Sequence, residues 1–220
     1  MRIRWYGQSA FLLSGEQGRV FVDPFGDMSG LAARGFRFDY PAIRDVAADL
    51  LLVTHDHGDH NAVDGIGGDP LVLRSAGTHE TPLGQVVGIS SEHDAVAGTQ
   101  RGQNTIFRFA LDGLAIAHLG DFGQPALRPE QREALGEVDV LLVPVGGSFA
   151  TLPAADAAAL VREVAPSVVV PMHYRTELVS FLDPPEPFLE ALGWPVEEAP
   201  RAEAEVAPGA EPRVLKLTLT

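Results

Sequence analysis

Short apolar runs separated by glycine-containing turns open the chain. Residues 11–13 and 19–22 form two such runs, and the sequence SGEQG at 14–18 between them is typical of a β-hairpin. The second run ends at Asp23. The pattern therefore predicts two antiparallel strands with a carboxylate at the end of the second.

The second half of the chain repeats this arrangement. Runs at 107–111 and 114–119 flank an Asp-Gly turn and lead to Asp121, with the same spacing between hairpin and aspartate as in the first half. Further along, DLLLV at 49–53 is echoed by DVLLV at 139–143. Two similar halves are therefore predicted.

The remaining pattern predicts a layered α/β fold. Apolar runs at 50–53, 141–145 and 168–170 are typical of strands buried on both faces. Proline near the start and glycine or proline after the end predict helices at 127–135, 154–164 and 187–192. Residues 214–220 predict a closing edge strand, and the acidic stretch 195–212 predicts a surface linker. Sheets inside and helices outside give an α/β sandwich.

Composition limits the classes of function. A chain of 220 residues with 45% hydrophobic residues can form one domain, 1–220. Its formal net charge of -14 argues against a nucleic-acid partner, because such proteins neutralise phosphates with Lys and Arg. The N-terminal apolar run, 10–13, is too short for export or a membrane span, so we expect a cytoplasmic protein. With no cysteine, any metal must be held by imidazole and carboxylate.

Candidate metal ligands are concentrated in the segment THDHGDH, directly after the buried run at 50–53. His55, His57, Asp59 and His60 can converge if the chain curls after the strand, as Gly58 allows. The alternative is a polar loop with solvated histidines. Four borderline ligands after a buried strand favour a metal site.

The motif H-x-H-x-D-H resembles the signature of the metallo-β-lactamase superfamily. Several further phrases are similar to its branch of ascorbate-6-phosphate lactonase-like proteins: HDAVAGTQRGQNTIF, HLGDFG, LLVPVGG and VVVPMHYRT. The resemblance implies a four-layer αββα sandwich of two similar halves. It also implies ligands beyond the motif, at His93, Asp121 and His173.

The resemblance further implies a dinuclear hydrolase. One metal would be held by His55, His57 and His93, a second by Asp59, His60 and His173, and Asp121 would bridge the two. The expected cofactors are two divalent ions, zinc first and manganese or iron as alternatives. A metal-bound hydroxide would attack an ester-like, lactone or phosphoester bond of a small molecule. A homo-oligomer is compatible with this assignment.

Several residues around this set have two interpretations each. Asp59 and His118 are the catalytic candidates, and His118 could instead be simply buried. Asp23 could orient a ligand imidazole or cap its own turn. Tyr174 and Arg175 could bind a substrate oxygen or anion, or be a packed tyrosine and a surface arginine.

Two further features concern the surroundings of the predicted site. Gly146 and Gly147 are predicted to permit close backbone approach, with Ser148 and Phe149 as pocket wall. The phrase GQSAF at 7–11 departs from the superfamily resemblance, because relatives often carry histidine where this chain has Gln8. We therefore expect an altered proton-transfer or hydrogen-bonding contact beside the predicted metal site, so the substrates of close relatives are a weak guide to the substrate of this chain.

Two other classes of function fit the same ligands. One is an oxidoreductase that uses redox iron, although this chain has no room for the flavin domain that such superfamily members carry. The other is a non-catalytic metal-binding or interaction protein. A flavin spectrum, or bound metal without hydrolysis, would distinguish them.

Overall fold

Two mixed β-sheets face each other in the computed structural model, which describes residues 1–147 and 151–219. Along the chain the strands are β1 (Arg2–Gly7), β2 (Ala10–Gly15), β3 (Gly18–Val22), β4 (Leu50–Leu52), β5 (Leu71–Leu73), β6 (Gly77–Thr81), β7 (Gly84–Glu92), β8 (Gln103–Leu111), β9 (Leu114–His118), β10 (Val140–Pro144), β11 (Val168–Met172), β12 (Val196–Ala199), β13 (Glu203–Glu205) and β14 (Arg213–Leu217). The first sheet has the order β13-β1-β2-β3-β4-β5, and the second β12-β14-β11-β10-β9-β8-β7-β6.

The two sheets share one internal pattern. The β2–β3 hairpin is followed by the parallel strand β4, and the β8–β9 hairpin by the parallel strand β10. Asp49 accepts a hydrogen bond from the backbone N–H of Arg19 at 2.7 Å, and Asp139 accepts one from that of Ala115 at the same distance. The echoed pentapeptides therefore occupy equivalent places at the start of β4 and β10.

The aspartates that end the two hairpins are not equivalent, contrary to the spacing in the sequence. Asp23 donates its backbone N–H to Leu52, whereas the matching donor in the second sheet is Leu119, which bonds to Leu142. Asp121 lies two residues beyond that position. The two aspartates therefore reach the same region from different backbone positions.

A continuous apolar core lies between the sheets. It joins buried residues of the first sheet, such as Phe11 and Leu50, to those of the second, such as Phe107 and Val169. Strands β10 and β11 are buried along their whole length, as is typical of strands covered on both faces. This core holds the strand ends, and the side chains that follow them, in fixed positions.

The two outer layers differ in structure. Helices α1 (Pro129–Leu135), α2 (Ala154–Val164) and α3 (Glu186–Leu192) lie over the second sheet, α1 on β7, α2 on β10 and α3 on α2. The first sheet is covered by irregular chain that includes the 3-10 helices Ser29–Arg34 and Val63–Gly65. Phe25, Tyr40 and Val179 from this chain pack on Phe21 and Leu51. The α/β fold is as predicted.

The three predicted helices are present, but two other predictions from the pattern were wrong. Residues 213–217 form β14, which lies between β11 and β12 and is not an edge strand. The stretch 195–212 contains β12 and β13, whose backbones pair with β14 and β1. Among residues 1–147 and 151–219, no helix is long and apolar enough to cross a membrane.

Candidate metal centre

Polar side chains collect where parallel strands end at one edge of the two sheets. In the first sheet Asp23 follows β3, and the segment 54–60 follows β4. In the second, His93 follows β7 directly and His173 follows β11 directly. Asp121 lies three residues after β9. Within each sheet the strands that precede these residues run in the same direction, so their carboxyl ends bring the residues together.

The Asp121 carboxylate lies at the centre of the cluster. Its Oδ2 is 3.2 Å from His93 Nε2, 3.2 Å from His173 Nε2 and 3.3 Å from His60 Nε2. His55 Nε2 is 3.9 Å away. Asp121 is only 2% exposed. One buried oxygen thus faces imidazole nitrogens from both sheets.

The structure brings together all seven sequence-predicted ligands. They fall into three groups whose donor atoms lie within 4.8 Å of one another: His55, His57 and His93; Asp59, His60 and His173; His55, His60 and Asp121. The first two groups match the two predicted metal positions. The third contains Asp121 with one histidine from each of them.

Asp23 connects the first sheet to the centre. Its Oδ2 accepts hydrogen bonds from His60 Nδ1 at 2.9 Å and Thr54 Oγ1 at 2.7 Å, and its Oδ1 accepts the Thr54 backbone N–H at 2.8 Å. An ionised carboxylate only accepts, so His60 Nδ1 carries the proton. His60 Nε2 then points towards Asp59 and Asp121. Asp23 thus orients an imidazole, one of its two predicted roles.

Burial and neighbouring charges shift the pKa values of these histidines in opposite directions and favour an ionised Asp121. Burial lowers the pKa of His55 and His57, and neighbouring histidines lower both further. Burial would raise the pKa of Asp121, but His173 and His60 hold it well below its usual range. Burial likewise opposes the charge on His60, yet Asp121, Asp59 and Asp23 raise its pKa.

These donors fit a pair of divalent cations. His60 Nε2 is buried and has no hydrogen-bond partner among the described residues, although it faces two carboxylates. Each predicted metal position has three protein donors, which leaves coordination open to another ligand. Imidazole and carboxylate together suit zinc, manganese and iron. The arrangement is therefore typical of a catalytic metal site.

Comparison with known proteins identifies the family. The model of the Beta-lactamase superfamily domain matches residues 2–173. A UPF0173 metal-dependent hydrolase from Thermococcus kodakarensis is 30% identical over 218 residues, covering 84% of this chain and 90% of the relative. The chain belongs to the UPF0173 family of metal-dependent hydrolases, within the metallo-β-lactamase superfamily.

Two further relatives of this hydrolase agree. A UPF0173 metal-dependent hydrolase from Thermus thermophilus is 30% identical over 207 residues, covering 80% of this chain and 84% of the relative. A crystal structure from Thermotoga maritima, of a protein assigned to the Zn-dependent hydrolases of the superfamily, superimposes with a TM-score of 0.78 at 28% identity. That match covers 98% of both chains.

The geometry argues against the catalytic role predicted for His118. Its Nε2 lies 3.0 Å from the carbonyl oxygen of Ser9, and its Nδ1 accepts the backbone N–H of Gly120 at 3.1 Å. The ring is completely buried, which lowers its pKa. With both nitrogens bonded to the backbone, His118 ties β9 to the β1–β2 turn and has no nitrogen left for a metal or a proton transfer.

The substrate role predicted for Tyr174 and Arg175 is also not supported. Tyr174 is 3% exposed and packs on Trp5 with ring centroids 5.3 Å apart. Its hydroxyl oxygen lies 3.4 Å from the Leu217 carbonyl oxygen. Arg175 Nε donates to the Leu182 carbonyl at 2.6 Å. His173, which precedes both residues, has a left-handed backbone conformation with φ of 51°. These contacts favour the alternative interpretation, a packed tyrosine and a surface arginine.

The glycine prediction is confirmed at Gly146. A Cβ added there would overlap the carbonyl oxygen of His173, and the Gly146 carbonyl accepts the N–H of Asp183 at 2.8 Å. The close approach therefore holds the loop that carries a predicted ligand. Ser148 and Phe149, predicted as pocket wall, lie outside the described residues.

Two supporting residues were missed by the sequence analysis. Asn104, 1% exposed, accepts the Asp121 backbone N–H at 3.1 Å and donates to Ser91 Oγ and the Leu119 carbonyl. Asp94 accepts hydrogen bonds from four backbone N–H groups between residues 96 and 101. Burial raises the pKa of Asp94, but these hydrogen bonds outweigh it and lower the pKa to about 2. An asparagine inside a strand and an aspartate before a glycine-rich loop were the available signals.

Proposed function

We propose that this hydrolase uses two divalent cations, zinc first, to hydrolyse an ester-like, lactone or phosphoester bond of a small molecule. The observation that carries the proposal is the convergence of both three-residue groups on Asp121 Oδ2. When bound, such cations lower the pKa of a bound water towards about 7 and stabilise an oxyanion. The lactone class rests on the resemblance to lactonase-like proteins.

Two of the predicted ligands would also determine how substrate approaches and where the released proton goes. His57 and Asp59 are the ligands most open to solvent, whereas the other five are buried, so substrate would approach past these two. The Asp59 Oδ2 lies 3.7 Å from His60 Nε2, and the side chain is 19% exposed. A carboxylate in that position can take up the proton released as water attacks. Asp59 is therefore the proposed proton acceptor.

A cavity of about 340 Å³ beside the centre supports an anionic substrate. It is lined by Val53, His55, Asp56, Asn61 and Arg74. Strands β4 and β5 are parallel, so His55 and Arg74 both follow the carboxyl end of a strand at one edge. Arg74 hydrogen-bonds to Asn61 and has no carboxylate within 4 Å among the described residues. Its guanidinium can therefore bind phosphate or carboxylate.

The larger cavity, about 700 Å³, lies elsewhere. It is lined by residues of the irregular layer, including Phe25, Phe36, Phe38 and Tyr40, and by none of the seven predicted ligands. Its walls include Gly26, whose N–H donates to the Gly58 carbonyl on the metal loop. The smaller cavity is the one that shares a wall with the centre.

Arg74→Ala is expected to raise the KM for an anionic phosphodiester about 10-fold, the equivalent of one lost charge-assisted contact of about 1.4 kcal/mol. The KM for a neutral lactone should stay unchanged, because only the anionic substrate uses the guanidinium. Steady-state kinetics on both substrates measure this. Arg44→Ala, which removes an exposed arginine at the larger cavity, is the control. Equal effects on both substrates would contradict the assignment.

The proposed function is tested by elemental analysis of the protein purified without added metal, together with hydrolysis of a phosphodiester and a lactone. We expect about two ions per chain and hydrolysis of at least one substrate. In His57→Ala the bound metal and the hydrolysis should both be lost. Full ion occupancy without hydrolysis would favour a non-catalytic metal-binding protein. Redox activity of bound iron would favour an oxidoreductase.

A further inference from the structure

The turn between β1 and β2 packs against the centre at several points. Ser9 Oγ lies 3.4 Å from Asp121 Oδ1, and the Ser9 carbonyl contacts His118. Gln8 is completely buried and has φ of 51°, a left-handed conformation that side chains other than glycine rarely adopt. Such a conformation persists only where surrounding contacts maintain it. The contacts of Gln8 therefore maintain its left-handed conformation.

Gln8 contacts two of the three residues at the second metal position. Its Nε2 donates a hydrogen bond to Asp59 Oδ2 at 3.1 Å. Its backbone carbonyl accepts the N–H of His173 at 3.2 Å, and also Trp5 Nε1 at 2.9 Å. One residue of the first sheet thus binds a ligand that follows β4 and a ligand that follows β11.

The orientation of the Gln8 amide follows from its partner. An ionised Asp59 only accepts hydrogen bonds, so the amide nitrogen must face it. The Gln8 Oε1 is buried and has no hydrogen-bond partner among the described residues. A methionine at this position would offer no donor to Asp59.

We propose that Gln8 is the positioning residue of the second metal position: its side chain fixes one oxygen of Asp59 while its backbone holds His173. The inference rests on the proposed function, because it assigns Asp59, His60 and His173 to one cation. Groups that hydrogen-bond to metal ligands restrict ligand orientation, and their loss costs about 10- to 100-fold in metal affinity. Gln8 should therefore affect the second ion and not the first.

The test is a zinc titration of chelator-stripped protein against a competing chromophoric chelator. Gln8→Met keeps approximately the shape of the side chain and removes its amide donor. Gln8→Ala removes the amide donor and most of the side-chain volume. We expect both variants to weaken binding of the second zinc ion about 10- to 100-fold and to leave the first unchanged. Gln131→Met is the matched control, since Gln131 is a buried glutamine whose partners are Gln124, Arg128 and Ser90.

Each outcome separates this inference from the proposed function. Two zinc ions bound by wild type and equally by Gln8→Met would overturn the role of Gln8 alone. Fewer than two ions in wild type would overturn the dinuclear proposal and this inference with it. Should the variants fail to fold, NMR of wild-type protein labelled at glutamine side-chain amides replaces them. One buried amide is expected to shift with the second equivalent of zinc, and its failure to shift would refute the role.

Discussion

Asp121→Ala is expected to abolish measurable hydrolysis and to lower the bound metal by at least one ion per chain. The carboxylate oxygen that faces His60, His93 and His173 disappears, so the two proposed metal positions would lose their proposed shared donor and its negative charge. Loss of a group that merely supports a ligand costs about 10- to 100-fold in affinity or activity, so loss of a shared ligand should exceed about 100-fold. Elemental analysis and kcat/KM on the best substrate measure it.

Asp64→Ala is the control for the Asp121 variant. Asp64 is exposed in the 3-10 helix Val63–Gly65, close in sequence to the metal loop, and its removal changes the net charge by the same amount. It should retain metal and activity. Circular dichroism establishes that both variants are folded. A folded Asp121→Ala protein with two ions and normal kcat/KM would contradict the central place given to this carboxylate.

The sequence alone was sufficient where the signal is local. The HDHGDH cluster follows a buried apolar run, and both features lie within a dozen residues, so no long-range information is needed. Helix α2 has the predicted bounds, because Pro153 precedes it, Pro166 follows it and its buried residues recur at helical spacing. His93, Asp121 and His173 carry no such signal, and their assignment depended on the family resemblance.

Predictions failed where the outcome depends on a distant partner. The alternation of apolar and polar residues in β14 is the same for an edge strand and for a strand next to the edge. Only the pairing with β12 shows that β14 is not at the edge. β12 is mostly exposed and acidic, so its backbone pairing has no hydrophobic signature. Only the fold identifies Arg74 as a neighbour of the predicted ligand His55, which lies 19 positions earlier in the sequence. Likewise, only the fold shows that Gln8 contacts Asp59, a predicted ligand far from it in sequence.

Local conformation explains the failure at Tyr174 and Arg175. Adjacency to a predicted ligand suggested a place in the site, but Tyr174, which follows a left-handed backbone at His173, packs on Trp5 in the core. A positive φ at a residue other than glycine is not visible in a single sequence. Neighbours of a ligand in sequence are therefore weaker candidates for substrate contact than residues at the ends of adjacent parallel strands.

The second large effect is expected for Asp23→Asn, although Asp23 belongs to none of the three groups of donor atoms. The asparagine Oδ1 can still accept the Thr54 backbone N–H, which places an NH2 group where the Asp23 Oδ2 faces His60 Nδ1. A donor in that position forces the neutral His60 ring to carry its proton on Nε2. The nitrogen that faces Asp59 and Asp121 then loses the lone pair that a cation needs.

We expect Asp23→Asn to weaken binding of the second zinc ion about 10- to 100-fold and to destabilise the fold by about 1–3 kcal/mol, because Thr54 Oγ1 also loses its carboxylate acceptor. Zinc titration, urea unfolding and the 15N shifts of His60 report the three consequences. Asp139→Asn is the matched control, since the Asp139 carboxylate, just before β10, accepts the backbone N–H of Ala115 and has no other hydrogen-bond partner among the described residues. A folded Asp23→Asn protein with the wild-type tautomer and two tightly bound ions would show that Asp59 and Asp121 alone orient His60.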